Sequence, residues 1–238
     1  MRANARVSSD LAELAERVCG LSVVALCVGV TVPACGPDAH VSAALVQWMD
    51  WPAEIAPGTP FSVRLIVLPP SCVWDVFGPG TTVDQSAVTF APYFGGVRED
   101  ILCADALLVG GGLDTLVTAP GLPAASPRAY EVRAATSVNS SDWRLTNLTV
   151  RTFGEIIVQP PTPGASVRNA AGYVWPSTDT LGCLRLTPTG AFTRDRALVL
   201  ENPVDTAGIG GAFVKGYIYD VATPICGETH VFHLVSRN

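Results

Sequence analysis

The sequence predicts an all-β protein, and three observations lead to that class. Apolar residues make up 48% of the 238 and charged residues only 15%, a balance too apolar for disorder. The 22 glycines and 19 prolines are spread along the chain, where they punctuate short runs rather than form a low-complexity tract. The runs between them are rich in β-branched and aromatic residues and bounded by turn signals. The length leaves room for a targeting segment followed by two modules of ordinary size.

Charge narrows the partners. Every basic residue other than Lys215 is an arginine, with no arginine cluster, and the formal net charge is −6. That balance disfavours the phosphate-neutralising surface on which nucleic-acid affinity rests, so no nucleic-acid partner is expected. After residue 35 no apolar run is long enough to span a bilayer, which takes about 20 residues.

Residues 21 to 32, LSVVALCVGVTV, form an uncharged stretch of 12 just after Arg17. That is too short to span a membrane and suits the apolar region of an export signal. Val32, Pro33 and Ala34 precede Cys35, putting small side chains at the −3 and −1 positions that a signal peptidase reads. A cysteine directly after such a site resembles the lipobox of bacterial lipoproteins, in which that cysteine carries the lipid and becomes the mature N-terminus. The resemblance implies a signal peptide over 1–34, a lipid at Cys35 holding the protein to a membrane, and a tether over 35–39. Pro33 departs from the family pattern and leaves ordinary cleavage before Cys35 as the alternative. Gly36, in place of the Asp that retains lipoproteins at the inner membrane, implies the outer membrane of a two-membrane cell envelope. Upstream, SSDLAELAERV reads as a short amphipathic helix with Asp10 and Glu13 in capping-box spacing, so the leader is less basic than usual.

In the first module, 40–158, short β-rich runs follow one another: 61–67, 86–94, 114–122, 129–138 and 147–159. This spacing predicts an antiparallel sandwich burying alternate residues, with Phe61, Val63, Leu65 and Val67 as the inward set of the first run. The stretch TAPGLPAASPRAYEVRA, 118–134, resembles the E strand, turn and F strand of immunoglobulin-like domains, where a tyrosine opening the F strand bonds back to the turn. The resemblance gives Tyr130 that place, with Val132 and Ala134 inward and Glu131 and Arg133 in water. No cysteine follows Tyr130 by two residues, a departure from antibody-type domains. The stretch from 36 to 159 holds 12 acidic against 6 basic residues, most of it read as solvated surface.

The second module, 165–238, holds five short runs: one starting at Gly172, then 182–188, 197–201, 211–220 and 230–236. Five strands with a glycine-punctuated fourth look like a small OB-like five-stranded barrel. The positions of Gly182, Cys183, Val214, Gly216 and Cys226 are similar to those in small OB-like modules of bacterial exported lipoproteins. That resemblance implies a bridge between Cys183 and Cys226.

Cysteine parity agrees with an oxidising compartment. Of seven cysteines, Cys19 and Cys27 leave with the signal, and a lipid on Cys35 leaves one pair in each module. Local bridges, Cys72 to Cys103 and Cys183 to Cys226, are expected, because crossed pairing would require the modules to meet at specific surfaces. The alternative is four reduced cysteines.

No catalytic motif stands out. His230 and His233 are three apart, so on a strand they face opposite ways and cannot close one zinc site. GIGGAF, 208–213, precedes a strand rather than a helix and reads as a turn, not a phosphate loop. There is no G-x-S-x-G to seat a nucleophile. Trp48 and Trp51, ahead of the first run, are expected to pack the sandwich edge rather than stack a sugar. Asn139 and Asn147 head glycosylation sequons of little meaning in a bacterial source. The sequence therefore predicts a non-enzymatic lipoprotein with no metal or cofactor, acting as a binding or structural module toward an envelope protein or glycan. An envelope hydrolase is the alternative, which a carboxylate within hydrogen-bond reach of a histidine in a pocket would favour.

Overall fold

Where the sequence alternates, the backbone is extended. The computed structural model describes residues 40–68, 76–97, 112–123, 127–138, 148–160, 167–190, 197–201 and 209–237. The expected signal peptide and tether, Cys35, Cys72, Cys103, Asn139 and Asn147 lie outside the described residues. All regular elements among those residues are strands: β1 (His40–Ala43), β2 (Leu45–Pro52), β3 (Glu54–Ile55), β4 (Phe61–Leu68), β5 (Val76–Gly78), β6 (Thr81–Val83), β7 (Ala87–Phe90), β8 (Tyr93–Val97), β9 (Leu113–Ala119), β10 (Arg128–Val138), β11 (Leu148–Val158), β12 (Arg168–Thr178), β13 (Leu184–Pro188), β14 (Leu198–Leu200), β15 (Ala212–Ile225) and β16 (Glu228–Arg237).

The strands form a five-stranded sheet, β3-β11-β10-β7-β6, a three-stranded sheet, β1-β8-β5, and an eight-stranded sheet, β13-β14-β16-β15-β12-β2-β4-β9. One core lies between the five-stranded sheet and the β2-β4-β9 part of the large one. Phe61, Val63, Leu65 and Val67 enter it from β4, and Phe90, Val132, Ala134, Phe153 and Ile156 from the facing strands. Tyr130, 2% exposed, donates its hydroxyl proton to the Pro123 carbonyl, seven residues back. Glu131 and Arg133 pair with each other on the outward side, at 2.6 Å.

The second core lies inside a ring of strands. In the large sheet β12 also pairs with β13, so β12, β13, β14, β16 and β15 close on themselves. All neighbours in the ring are antiparallel except β14 and β16, which run parallel. Val174, Leu186, Leu200, Val214, Ile218 and Phe232 fill its interior. Cys183 and Cys226 are bonded, with Cα atoms 6.1 Å apart and a sequence separation of 43; closing a loop of that length stabilises by about 4 kcal/mol on a chain-entropy estimate. Cys226 and Gly227 have φ of +54° and +79° between the paired Ile225 and Glu228. That is a two-residue hairpin turn of the type whose twist matches the flanking strands, with cysteine where asparagine usually sits.

Residues from Val41 onward form one compact unit, so the expected boundary between 158 and 165 falls inside it. The reason is β2, which pairs with β4 on one edge and with β12 on the other. Trp48 and Trp51 are therefore not ahead of the first strand but within β2, and their spacing of three sends them to opposite faces. Trp51 packs in the sandwich core and donates from Nε1 to the Glu155 carbonyl at 3.0 Å. Trp48 packs in the ring core, its edge toward Phe232 at 5.8 Å between centroids. Asp50, the buried charged residue among those described at 5% exposure, accepts from Arg168 Nε at 2.6 Å. Arg168 Nη2 also donates to the Asp50 and Ser62 carbonyls, clamping β12 to β2 and β4.

Gly172 is the point at which β12 passes from β2 to β13. Its φ is +151°, and a Cβ there would lie 2.2 Å from the Gln47 carbonyl oxygen and 2.6 Å from the Trp48 Cα. Both the conformation and the approach require glycine. Gly172→Ala is expected to cost about 3 kcal/mol or more. Gly182→Ala, at φ +80° with nothing within 4 Å of the new methyl, should cost only about 1 kcal/mol. Urea unfolding midpoints of the two variants check this; equal losses would contradict the role given to Gly172.

Candidate functional site

With Ile218, Phe232 and Leu200 turned into the ring, their neighbours Tyr217, Tyr219, Val231, His233, Val199 and Glu201 face outward. Strand register then brings distant residues together. Tyr217 lies opposite His233, and Tyr219 opposite Val231. The parallel pairing of Val199 with Val231 carries Glu201 to the side of His233, where its backbone N–H donates to the Phe232 carbonyl at 3.0 Å.

The result is a connected polar and aromatic set. The Tyr217 and His233 rings stack at 4.8 Å and 12°, and Tyr217 meets Tyr219 at 5.8 Å and 45°. His233 Nδ1 lies 2.6 Å from Glu201 Oε2, and the Tyr219 hydroxyl donates to the same carboxylate. Those two hydrogen bonds, Tyr219 first, hold the Glu201 carboxyl below the usual carboxylate range. Reciprocally, the bond to Glu201 pushes the Tyr219 phenol up to about 12. Val199 and Val231, which share this face by register, are themselves buried, at 1% and 0% exposure. When His233 donates from Nδ1, its Nε2 is left as the ring's acceptor.

His230 takes a different partner, with Nδ1 2.9 Å from Asp220 Oδ1. The two histidines are thus held by separate carboxylates, as strand alternation requires. Among the described residues no three His, Cys, Asp or Glu side chains are grouped to hold a metal ion. Residues 209–211 form a turn ahead of β15, in the place expected of GIGGAF.

At the end of the ring that carries the disulfide, Asp179 folds the β12–β13 connection around its own carboxylate. It accepts from Arg185 Nε and from the backbone N–H groups of Leu181 and Cys183, each at 2.9 Å. Those bonds, Arg185 first, hold the Asp179 carboxyl below its ordinary value. Arg185 also reaches Glu228 at 3.4 Å, a second tie between the hairpins that Cys183 and Cys226 join.

Sequence reasoning did not find Glu201, Tyr217 or Tyr219. The signal present is the Tyr-x-Tyr of β15, which places two phenols on one face; Glu201 is brought in only by the parallel register of β14 and β16. Comparison with protein-family models, with curated proteins and with solved structures finds no match for the chain. The fold itself defines the class: an all-β protein whose sandwich sheet continues into a closed ring of strands.

The pH response of the set follows from these shifts. Glu201, with a lowered folded value, contributes stability at neutral pH that is lost as pH falls through that value. Tyr219, with a raised value, contributes below its ordinary 10.0, and the contribution is lost as pH rises through about 12. In a difference titration of phenolate absorbance between wild type and Tyr219→Phe, the Tyr219 component should appear near 12, and Glu201→Gln should move it down toward 10. An unchanged titration in Glu201→Gln would contradict the hydrogen bond.

Proposed function

We propose that the protein is a non-enzymatic, exported lipoprotein of a bacterial cell envelope, anchored by a lipid on Cys35, whose strand ring offers its outer face for recognition. In this reading the sandwich is immunoglobulin-like and the ring OB-like. The Tyr130 to Pro123 hydrogen bond supports the first assignment. The strand order of the ring, with third and fifth strands parallel, supports the second. β7 runs parallel to β10, a departure from the purely antiparallel sandwich of the immunoglobulin pattern.

One observation carries the binding role: the ring's interior is filled by apolar side chains, while the Tyr217, Tyr219, His233 and Glu201 set stands outside it. Two phenols, an imidazole and an ionised carboxylate offer hydrogen bonds and ring faces to a protein or glycan of the envelope. The second reading, an envelope hydrolase, draws on the 2.6 Å contact of Glu201 with His233, which would leave Nε2 able to move a proton.

The test combines anchor and site. Metabolic labelling with a palmitate analogue is expected to tag wild type and not Cys35→Ser, and label retained by Cys35→Ser overturns the anchor. A photo-crosslinking amino acid at position 217 should capture an envelope component that the same group at exposed Leu116 does not. Turnover of ester, glycoside or peptide substrates that is abolished by His233→Ala would instead establish the hydrolase.

A further inference from the structure

Trp175 is the exposed tryptophan among the described residues, with 56% of its surface in water. It belongs to the part of β12 that pairs with β13, opposite Thr187, and Val174 before it points into the ring core. So large an apolar surface left in water on a sheet face costs hydrophobic free energy that burial elsewhere would recover.

The ring is also held in place. Cβ atoms added to Gly210 and Gly211 would come within 3.2 Å and 3.5 Å of the indole's six-membered ring. The indole therefore rests close against backbone that carries no side chain. That seat is itself fixed: Gly211 N–H donates to the Val174 carbonyl at 2.9 Å and Ala212 N–H to the Ile209 carbonyl at 2.8 Å. A ring immobilised before binding loses little rotamer entropy when a ligand stacks on it.

Polar residues share its outward face. Ser177 stands two residues along β12, opposite Arg185, and Thr187 stands across from the ring. Arg185 is already neutralised by Asp179 at 2.9 Å and Glu228 at 3.4 Å. We propose that Trp175 is the platform of a binding site for an uncharged glycan, one face of a sugar ring stacking its C–H bonds on the indole while its hydroxyls meet Ser177 and Thr187. The reasons are complementarity of chemistry and of charge. A pyranose presents an apolar C–H face with a hydroxyl edge, which fits an exposed indole bordered by hydroxyls. The charged groups beside it satisfy one another and call for no counter-charge. A nucleic acid, the other polymer that stacks on aromatic rings, would meet a chain of net charge −6. This site goes beyond the Tyr217 face and does not rest on it.

Affinity electrophoresis and titration calorimetry of the full mature chain, with its disulfide intact, test the proposal with cellohexaose, chitohexaose and dextran as probes and heparin as the anionic control. At least one neutral probe is expected to bind and to shift tryptophan emission, with heparin inert. Trp175→Ala should weaken that binding by about tenfold or more, and Trp175→Phe by less. Gly210→Val, which displaces the indole from its seat, should weaken it while leaving the circular dichroism of the fold unchanged. Leu116→Ala, at an exposed position on β9, should leave it unaltered. No binding of any neutral probe, binding unchanged in Trp175→Ala, or capture of an apolar peptide in place of the sugars would overturn the proposal.

Discussion

Strand β2 has a partner on each edge, and the remainder of the molecule takes its register from that fact. Met49 sits opposite Leu65 of β4 and opposite Ala171 of β12. Since side chains alternate, this one register sends Trp51 into the sandwich core and Trp48 into the ring core. A slip of one residue would exchange the two indoles and expose the apolar set of a strand buried on both faces. The same crowding explains Gly172, whose missing side chain makes room for the Trp48 backbone. Asp50 and Arg168 reinforce the register. A buried ion pair adds little net stability, but its 2.6 Å contact exists only when β12 and β2 are correctly aligned.

Contacts beyond the ladder bind the ring to the sandwich. Phe213 of β15 points away from the ring and meets Phe153 of β11 edge to face at 5.1 Å and Tyr173 at 5.3 Å. The Arg151 guanidinium lies over Phe213 at 3.7 Å, an attraction to the ring's electron-rich face. Lys215 Nζ donates to the Thr152 carbonyl at 3.2 Å. β15 is thus fastened at its start to the sandwich, and its far end is tied by Cys226 to Cys183 at the approach to β13. Between these attachments stand Tyr217 and Tyr219, which is why an outer face made from three strands keeps its stack and hydrogen bonds. Rigid support of this kind is what a recognition surface needs to hold rings in place without a large entropic cost on binding.

Much of this organisation was legible where burial is one-sided. The inward set of β4 and the alternation around Tyr130 stand out because polar and apolar residues take turns. The bond between Cys183 and Cys226 was legible from parity and from the resemblance to small exported modules. β2 was not legible. In LVQWMDWP the four residues from Trp48 to Trp51 are buried one after another, so it lacks the period-two contrast that marks a half-buried strand. Reading it as a flank hid the strand that joins the two cores. The outer site was hidden for another reason: Glu201 and His233 are 32 residues apart in sequence and meet only through a parallel pairing, which no local pattern announces. Trp175 gave no periodic signal either, because its significance lies in how exposed it remains.

The central claim is that β2 makes sandwich and ring a single cooperative structure. Native-state hydrogen exchange with increasing denaturant, read peptide by peptide, tests it most directly. Amides of β10 and β11 and those of β15 and β16 should open with the same free energy and the same denaturant dependence, in one global transition. Exchange of β15 and β16 through a separate opening at lower denaturant, while β10 and β11 stay protected, would contradict it.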